Sequence, residues 1–337
     1  MTSRKILFRA DASQAIGMGD LMSLVHLSYY FEASGWECFF LIKDYPAAIR
    51  LVEKYCINNL HIMDRKLGID DEVEVINQLI REIGIVLLFF EITERKLSDY
   101  RGLPPHVKKA CVSFDGEILP DLDLVVDWDV EAEDFFERES FPQTKFLLGP
   151  EYVILPHEFD YELIKEREFI SRPEKLLICM GGSDELNFTQ KVVDVIIENS
   201  IDVKLNIVIG AGHEFRQGLL DSLVGRGINF NIKQNITGMF DEYMSCDVAV
   251  GAGGLTSSEI VATSTPAVLI ATYSHQVARC IYFHNNGFIR YLGFREFDKS
   301  ELIDAIMYPI QPGQHNLFNT RAIIDSCNEI IGTRYSH

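Results

Sequence analysis

The chain has 337 residues, 47% of them hydrophobic, enough for two domains with buried cores. Its 31 basic and 50 acidic residues leave a formal net charge of −19 with no Lys/Arg block, so the basic stripe that sustained nucleic-acid binding requires is missing. The seven cysteines stand singly, are odd in number and form no C-x-x-C, which argues against a disulfide framework or a zinc cage and fits a reducing compartment. An acidic chain repels anions at long range, so any phosphate has to be held locally, by backbone N–H groups and helix N-termini.

The first apolar run, residues 5–9, reads as a strand and leads through a glycine-containing turn into a helical stretch at 21–34. Further strands are predicted at 37–42, 60–63, 85–90, 109–114 and 122–126, with helices at 47–55 and 71–83. Residues 149–173 carry Pro150, Pro156 and Pro173 among many charges and read as a connection. The alternation restarts at Lys175, with strands at 176–179, 204–209, 229–233, 248–250 and 267–270. Helices are predicted at 187–200, 214–225, 239–244, 255–263, 275–285, 299–307 and 319–331. This pattern implies an α/β chain of two Rossmann-like, doubly wound domains, 1–155 and 156–337, with a ligand cleft between them at the carboxyl ends of the strands. The longest apolar run, 83–90, is strand-sized and not membrane-spanning, and the N-terminus shows no signal-peptide pattern. A cytoplasmic protein is expected.

Three turns repeat one plan of strand, glycines, polar residues, helix. After the first strand come Asp11, Gly17, Gly19 and Asp20. The Gly-x-Gly spacing falls short of a dinucleotide fingerprint, and Asp20 reads either as a ligand-facing acid or as an ordinary helix N-cap. After 176–179 come Gly181, Gly182, Ser183 and Asp184, whose exposed N–H groups suit an oxyanion nest or a plain capped turn. After 248–250 come Gly253, Gly254, Thr256, Ser257, Ser258 and Glu259. Hydroxyls at a helix start can bond phosphate oxygens, and a carboxylate one turn inside the helix can accept both hydroxyls of a ribose or act as a capping-box acid. Gln276 reads as a bridge between ligand and loop or as a solvated helix residue. No metal-ligand spacing is present, and no cofactor is expected.

Residues 6–19, 179–184 and 253–276, with Ser113-Phe114-Asp115 and the Gly149-Pro-Glu-Tyr-Val-Ile-Leu run, resemble the UDP-2,4-diacetamido-2,4,6-trideoxy-β-L-altropyranose hydrolases of pseudaminic acid biosynthesis and the related spore-coat polysaccharide proteins. The second half is similar, more distantly, to the N-acetylglucosaminyl transferase that makes lipid II. The resemblance implies a GT-B architecture and a UDP-activated amino sugar as partner. It places Gly181, Gly182 and Ser183 near the diphosphate, with Thr256 and Ser257 facing it and Glu259 on the ribose. Asp11, Gly17, Gly19 and Asp115 would belong to the sugar side.

The chain departs from that family on the sugar side. The family's Gly-x-Gly-His is followed three residues later by Arg; here Asp20 and Ser23 stand at those positions. The family's Asp-His-Tyr is Glu91-Ile92-Thr93, and the second acid of its Asp-Asp is Gly116. Asp20 is therefore the candidate base for water, with His157 and His275 as substitutes. Three readings follow: a UDP-sugar hydrolase, a glycosyltransferase in which an acceptor hydroxyl replaces water, and a nucleotide-sugar binder without catalysis.

Overall fold

A computed structural model describes residues 4–332, apart from 14, 16, 92–96, 114–120, 169, 183, 211–216, 235 and 237. Asp115 and Ser183 lie outside the described residues, as do Ile92, Thr93 and Gly116.

The chain divides into two compact units, residues 1–157 with 318–337 and residues 158–317. The first holds strands β1 (Arg4–Ala10), β2 (Trp36–Lys43), β3 (Leu60–Met63), β4 (Leu87–Glu91), β5 (Lys108–Val112), β6 (Leu124–Asp127) and β7 (Lys145–Leu148). Its helices are α1 (Gly19–Ala33), α2 (Pro46–Lys54), α3 (Ile69–Leu79) and the short α4 (Ala132–Phe135). The sheet order is β3-β2-β1-β4-β5-β6-β7, every pair parallel. Parallel strands covered on both faces need unbroken apolar runs, and Leu87–Glu91 is buried at all five positions. Alternation along the strands decides which face each residue serves. Phe8, Phe40 and Phe89 point to one side, where Phe8 meets Phe31 of α1 edge-on at 5.7 Å. Leu7, Leu41, Leu88 and Phe90 point to the other and pack with Ile76 and Leu79 of α3.

The second unit holds β8 (Lys175–Cys179), β9 (Lys204–Ile209), β10 (Phe230–Gln234), β11 (Val248–Ala252), β12 (Ala267–Ala271) and β13 (Arg290–Phe294), in the order β10-β9-β8-β11-β12-β13 and again all parallel. Helices α5 (Phe188–Glu198), α6 (Gln217–Leu223) and α10 (Lys299–Met307) bury Val192, Leu219 and Leu302 against one face. Helices α7 (Phe240–Ser245), α8 (Leu255–Ala262) and α9 (Val277–Asn285) contact β8, β11 and β12. Asp298 caps α10, accepting from the N–H groups of Ser300 at 2.8 Å and Glu301 at 3.0 Å.

Three features differ from the sequence expectation. Strands β7 and β13 are edge strands absent from that expectation: β7 is half-buried at its first two residues and buried at its last two, and β13 is half-buried or exposed throughout. The boundary falls after residue 157, two residues beyond the expected 155. The C-terminal helix α11 (Arg321–Gly332) belongs to the first unit and not to the second. It buries Ile323, Ile324, Cys327 and Ile331 and contacts α1, β5 and β6. Asn328 there accepts from Arg4 at 2.7 Å and from Trp36 Nε1 at 3.1 Å. Each such apolar side chain stabilises the contact by about 1.5–3 kcal/mol, and a domain-by-order reading of the sequence cannot assign that interaction.

Candidate functional site

In the second sheet the chain steps from β8 to β9 and β10 on one side, then returns to β11 on the other. Open α/β sheets bind ligands outside the carboxyl end of such a reversal. Two glycine turns flank it, Gly181–Gly182 after β8 and Gly253–Gly254 after β11.

Their geometry depends on missing side chains. Gly181 has φ +81°, a region closed to most L-residues. A Cβ on Gly210, at the end of β9, would lie 2.4 Å from both the Gly181 and Gly182 carbonyl oxygens, so β9 supports the turn by direct backbone contact. A Cβ on Gly253 would strike Cys280 Sγ at 2.5 Å and Gln276 Cβ at 2.8 Å. One on Gly251 would meet Ile260 Cδ1 at 2.9 Å, which is how α8 comes close to the sheet.

Gly254 is the N-cap of α8, with no side-chain cap hydrogen bond and no acidic residue in the first turn. The helix therefore presents first-turn N–H donors and the positive end of its dipole. Thr256 is half-buried, with its hydroxyl 3.9 Å from the position a Cβ would take on Gly181, so the two glycine turns meet there. Ser257 is different. It is fully buried, and its hydroxyl donates to Gly254 O at 2.6 Å, so it secures the helix start from inside. Asp184 likewise serves the fold, accepting from Phe188 N at 2.7 Å and Thr189 N at 2.9 Å and capping α5.

Glu259 lies one turn further along α8 and is half-buried. Tyr243, fully buried on α7, donates its hydroxyl to Glu259 Oε2 at 3.0 Å. Burial pushes the Glu259 carboxyl up to about 7; the Tyr243 bond opposes the shift and nearby Glu158 adds to it. Near neutral pH it exchanges between an ionised acceptor and a neutral group. Gln276 braces the loop after β12. Its Oε1 accepts from Thr272 N at 2.9 Å, Thr272 Oγ1 at 3.0 Å and Tyr273 N at 3.3 Å, which turns its amide nitrogen toward Gly254. Sequence reasoning missed Tyr243 altogether, because a lone tyrosine in a six-residue helix carries no motif.

In the first unit, helix α1 begins at Gly19 with Met18 as N-cap, so Asp20 is not the cap but a first-turn acid. Gly17 has φ +96° and closes a small loop with Ser13, whereas a side chain on Gly19 would meet open space. Asp11 sits on the α3 face of the sheet within a buried charge network. Arg9 Nη2 reaches it at 2.7 Å, Lys43 N donates to it at 2.9 Å, and Arg9 Nε donates to Glu72 at 2.8 Å. Tyr100 donates to the same Glu72 oxygen. Burial works against ionised Asp11, but Arg9, helped by Lys43, overrides it and holds the carboxyl below its ordinary range. Asp11 thus balances a buried guanidinium. His157 is exposed beside Tyr29, and His275 is exposed and stacked on Tyr273. Asp121 and Asp123 pair with Lys109 and Lys108.

No protein-family model matches the chain. It is 24% identical over 301 residues to an uncharacterised protein of Methanocaldococcus jannaschii, covering 82% of this chain and 57% of that one. It is 26% identical over 200 residues to the UDP-2,4-diacetamido-2,4,6-trideoxy-beta-L-altropyranose hydrolase of Campylobacter jejuni, covering 58% and 67%. It is 23% identical over 185 residues to the spore coat polysaccharide biosynthesis protein SpsG of Bacillus subtilis, covering 51% and 52%. The chain thus spans between about half and two thirds of the length of these relatives. Among solved structures, the UDP-GlcNAc 2-epimerase of Methanocaldococcus jannaschii superposes with a TM-score of 0.65 at 10% identity, covering 96% of this chain and 99% of that one. MurG of Acinetobacter baumannii gives 0.61 at 13%, covering 96% and 99%. No described helix is long and apolar enough to cross a membrane. The two parallel sheets and these likenesses establish an α/β, GT-B-like fold, and the sequence relatives suggest proteins of sugar-nucleotide and polysaccharide biosynthesis.

Proposed function

We propose that the chain binds a UDP-activated amino sugar and hydrolyses the bond between sugar and diphosphate, releasing UDP. The observation that carries this is the uncapped start of α8, with the Gly181–Gly182 turn beside it and the Glu259 carboxylate one turn further on. Phosphate oxygens suit the first group and ribose hydroxyls the second. Two of the sequence relatives, a UDP-sugar hydrolase and a spore-coat polysaccharide protein, support the same reading.

In this reaction Gly181, Gly182, Gly254 and Thr256 hold the diphosphate and stabilise the charge that grows on it as the bond breaks. Ser257 and Gln276 hold the loops in place. Asp20 takes a proton from water as the water oxygen bonds to the anomeric carbon. Charge on the departing UDP is met by N–H dipoles, so the step requires no metal. An acceptor sugar in place of water would give glycosyl transfer in the same site; UDP release that depends on added acceptor would favour that reaction.

The direct test is UDP release from UDP-activated amino sugars by wild type and by Asp20→Asn. Equal rates would remove Asp20 as the base, and the absence of any UDP binding by wild type would remove the nucleotide site.

A further inference from the structure

Glu259 of α8 is half-buried, and among the described residues Tyr243 is the hydrogen-bond partner of its carboxylate, donating to Oε2 at 3.0 Å. Oε1 is thereby the oxygen left for a ligand. A glutamate without such a contact turns freely about its side-chain bonds and loses that freedom when it binds. One fixed in advance has already lost it on folding, so the ligand binds more tightly.

The tyrosine is itself held at its ring and at its backbone. Phe159, buried, meets Phe240 edge-on with ring centroids 5.4 Å apart and planes at 89°, and meets Tyr243 at 6.2 Å and 62°. The Tyr243 carbonyl, in the last turn of α7, accepts from Arg167 Nη1 at 3.0 Å and Nη2 at 3.1 Å. Arg167 Nη2 also donates to Cys246 O, so the guanidinium closes the C-terminal end of α7, where a cation meets the negative end of the helix dipole. Phe159 and Arg167 both belong to the stretch 158–167 that opens the second unit. The contacts therefore run in series, from that stretch to Tyr243 on α7 and from Tyr243 to Glu259 on α8. A buried tyrosine hydroxyl needs an acceptor. The acceptor it has is the carboxylate one turn inside the helix whose uncapped start presents N–H donors.

We propose that Tyr243 is a positioning residue that sets selectivity for a ribonucleotide: it holds Glu259 with Oε1 free for the ribose hydroxyls, and the stretch 158–167 holds Tyr243. This rests on the nucleotide reading of the site above, and not on turnover. A site prepared for a hydroxyl rejects a ligand that lacks it, because the prepared oxygen is then left unpaired. A carboxylate free to swing back to water loses little and discriminates less.

The test compares UDP with 2′,3′-dideoxyuridine diphosphate, which keeps the base and the diphosphate and lacks both ribose hydroxyls, by calorimetry of the full chain at pH 8. Wild type is expected to prefer UDP by roughly tenfold to a hundredfold, the range for hydrogen bonds to a charged group. Tyr243→Phe keeps the buried ring and removes the donor. It is expected to lose most of that preference while its affinity for the dideoxy ligand stays unchanged. Because the tyrosine acts through the glutamate, Tyr243→Phe combined with Glu259→Ala should show the same preference as Glu259→Ala alone. Phe159→Leu, which loosens the ring contacts and leaves the hydroxyl in place, should lose part of the preference, and it decides by the same comparison if Tyr243→Phe does not fold. Equal weakening of both ligands in Tyr243→Phe marks a merely structural role and overturns the proposal. A preference that survives in Tyr243→Phe, or that falls further in the double variant than in Glu259→Ala, overturns it too. In those cases wild type still binds and selects UDP, so the nucleotide site stands; no UDP binding by wild type removes the site and the proposal together.

Discussion

Replacing Glu259 by Gln sets stability against binding. In the folded chain burial lifts this carboxyl to about 7, against an ordinary 4.5. A carboxyl raised in the folded state contributes its full stability below the ordinary value, and loses it as pH rises through 7. At pH 8 the ionised side chain costs the fold up to about 3 kcal/mol. Glutamine carries no charge, keeps the oxygen that Tyr243 bonds and has nearly the same shape. Glu259→Gln is therefore expected to be more stable than wild type at pH 8, and to lose that advantage by pH 5. Binding should move the other way. Ribose hydroxyls that donate to a carboxylate gain about 1.5–3 kcal/mol over an unmade bond, so UDP affinity at pH 8 should fall roughly tenfold to a hundredfold. Urea unfolding at pH 5 and pH 8, with calorimetry of UDP binding at pH 8, tests both halves. A stability difference independent of pH would refute the buried, partly protonated carboxyl. Unchanged UDP affinity would refute its place on the ribose.

Other substitutions separate fold from function. Gly210→Ala forces a methyl against two carbonyl oxygens of the Gly181–Gly182 turn and should cost about 1–3 kcal/mol in denaturant unfolding, with weaker UDP binding. Asp11→Ala leaves the buried Arg9 guanidinium with Glu72 as its remaining carboxylate partner, and the loss of one charge-assisted hydrogen bond is expected to cost about 1.5–3 kcal/mol, read as a fall in Tm. Because the Asp11 carboxyl is held low, its contribution is present at neutral pH and disappears only as pH falls through that lowered value, so wild type and Asp11→Ala should converge in stability in strong acid. Chelation by EDTA should leave UDP release unchanged; a rate that collapses with chelator and returns with a divalent cation would contradict metal-free departure of UDP.

Much of the fold is legible because strands buried on both faces are unbroken apolar runs. The strand read at 204–209 coincides with β9, and that at 60–63 with β3. An edge position does not by itself hide a strand, since β3 is an edge strand; β7 escapes because it has four residues of which two are half-buried, and β13 because none of its residues is buried. The α11 helix is visible as a helix, but no local pattern states that Asn328 will meet Arg4 and Trp36 from the opposite end of the chain. In the candidate site, the glycine turns and Glu259 stand out because their chemistry needs those residues at that spacing. Ser257 and Gln276 are visible as polar residues, yet their hydrogen bonds run inward to Gly254 and to the loop after β12. Tyr243 depends on the pairing of α7 with α8, where its hydroxyl meets Glu259, and one-dimensional spacing does not encode that pairing.

The most direct measurement is nucleotide release from a panel of UDP- and CMP-activated amino sugars, followed beside calorimetric titration with UDP. The expected result is saturable UDP binding that weakens in Glu259→Ala, and UDP released from at least one UDP-sugar by wild type but not by Asp20→Asn. No UDP binding at millimolar ligand, together with no nucleotide release from any sugar, would contradict the proposed function at its root.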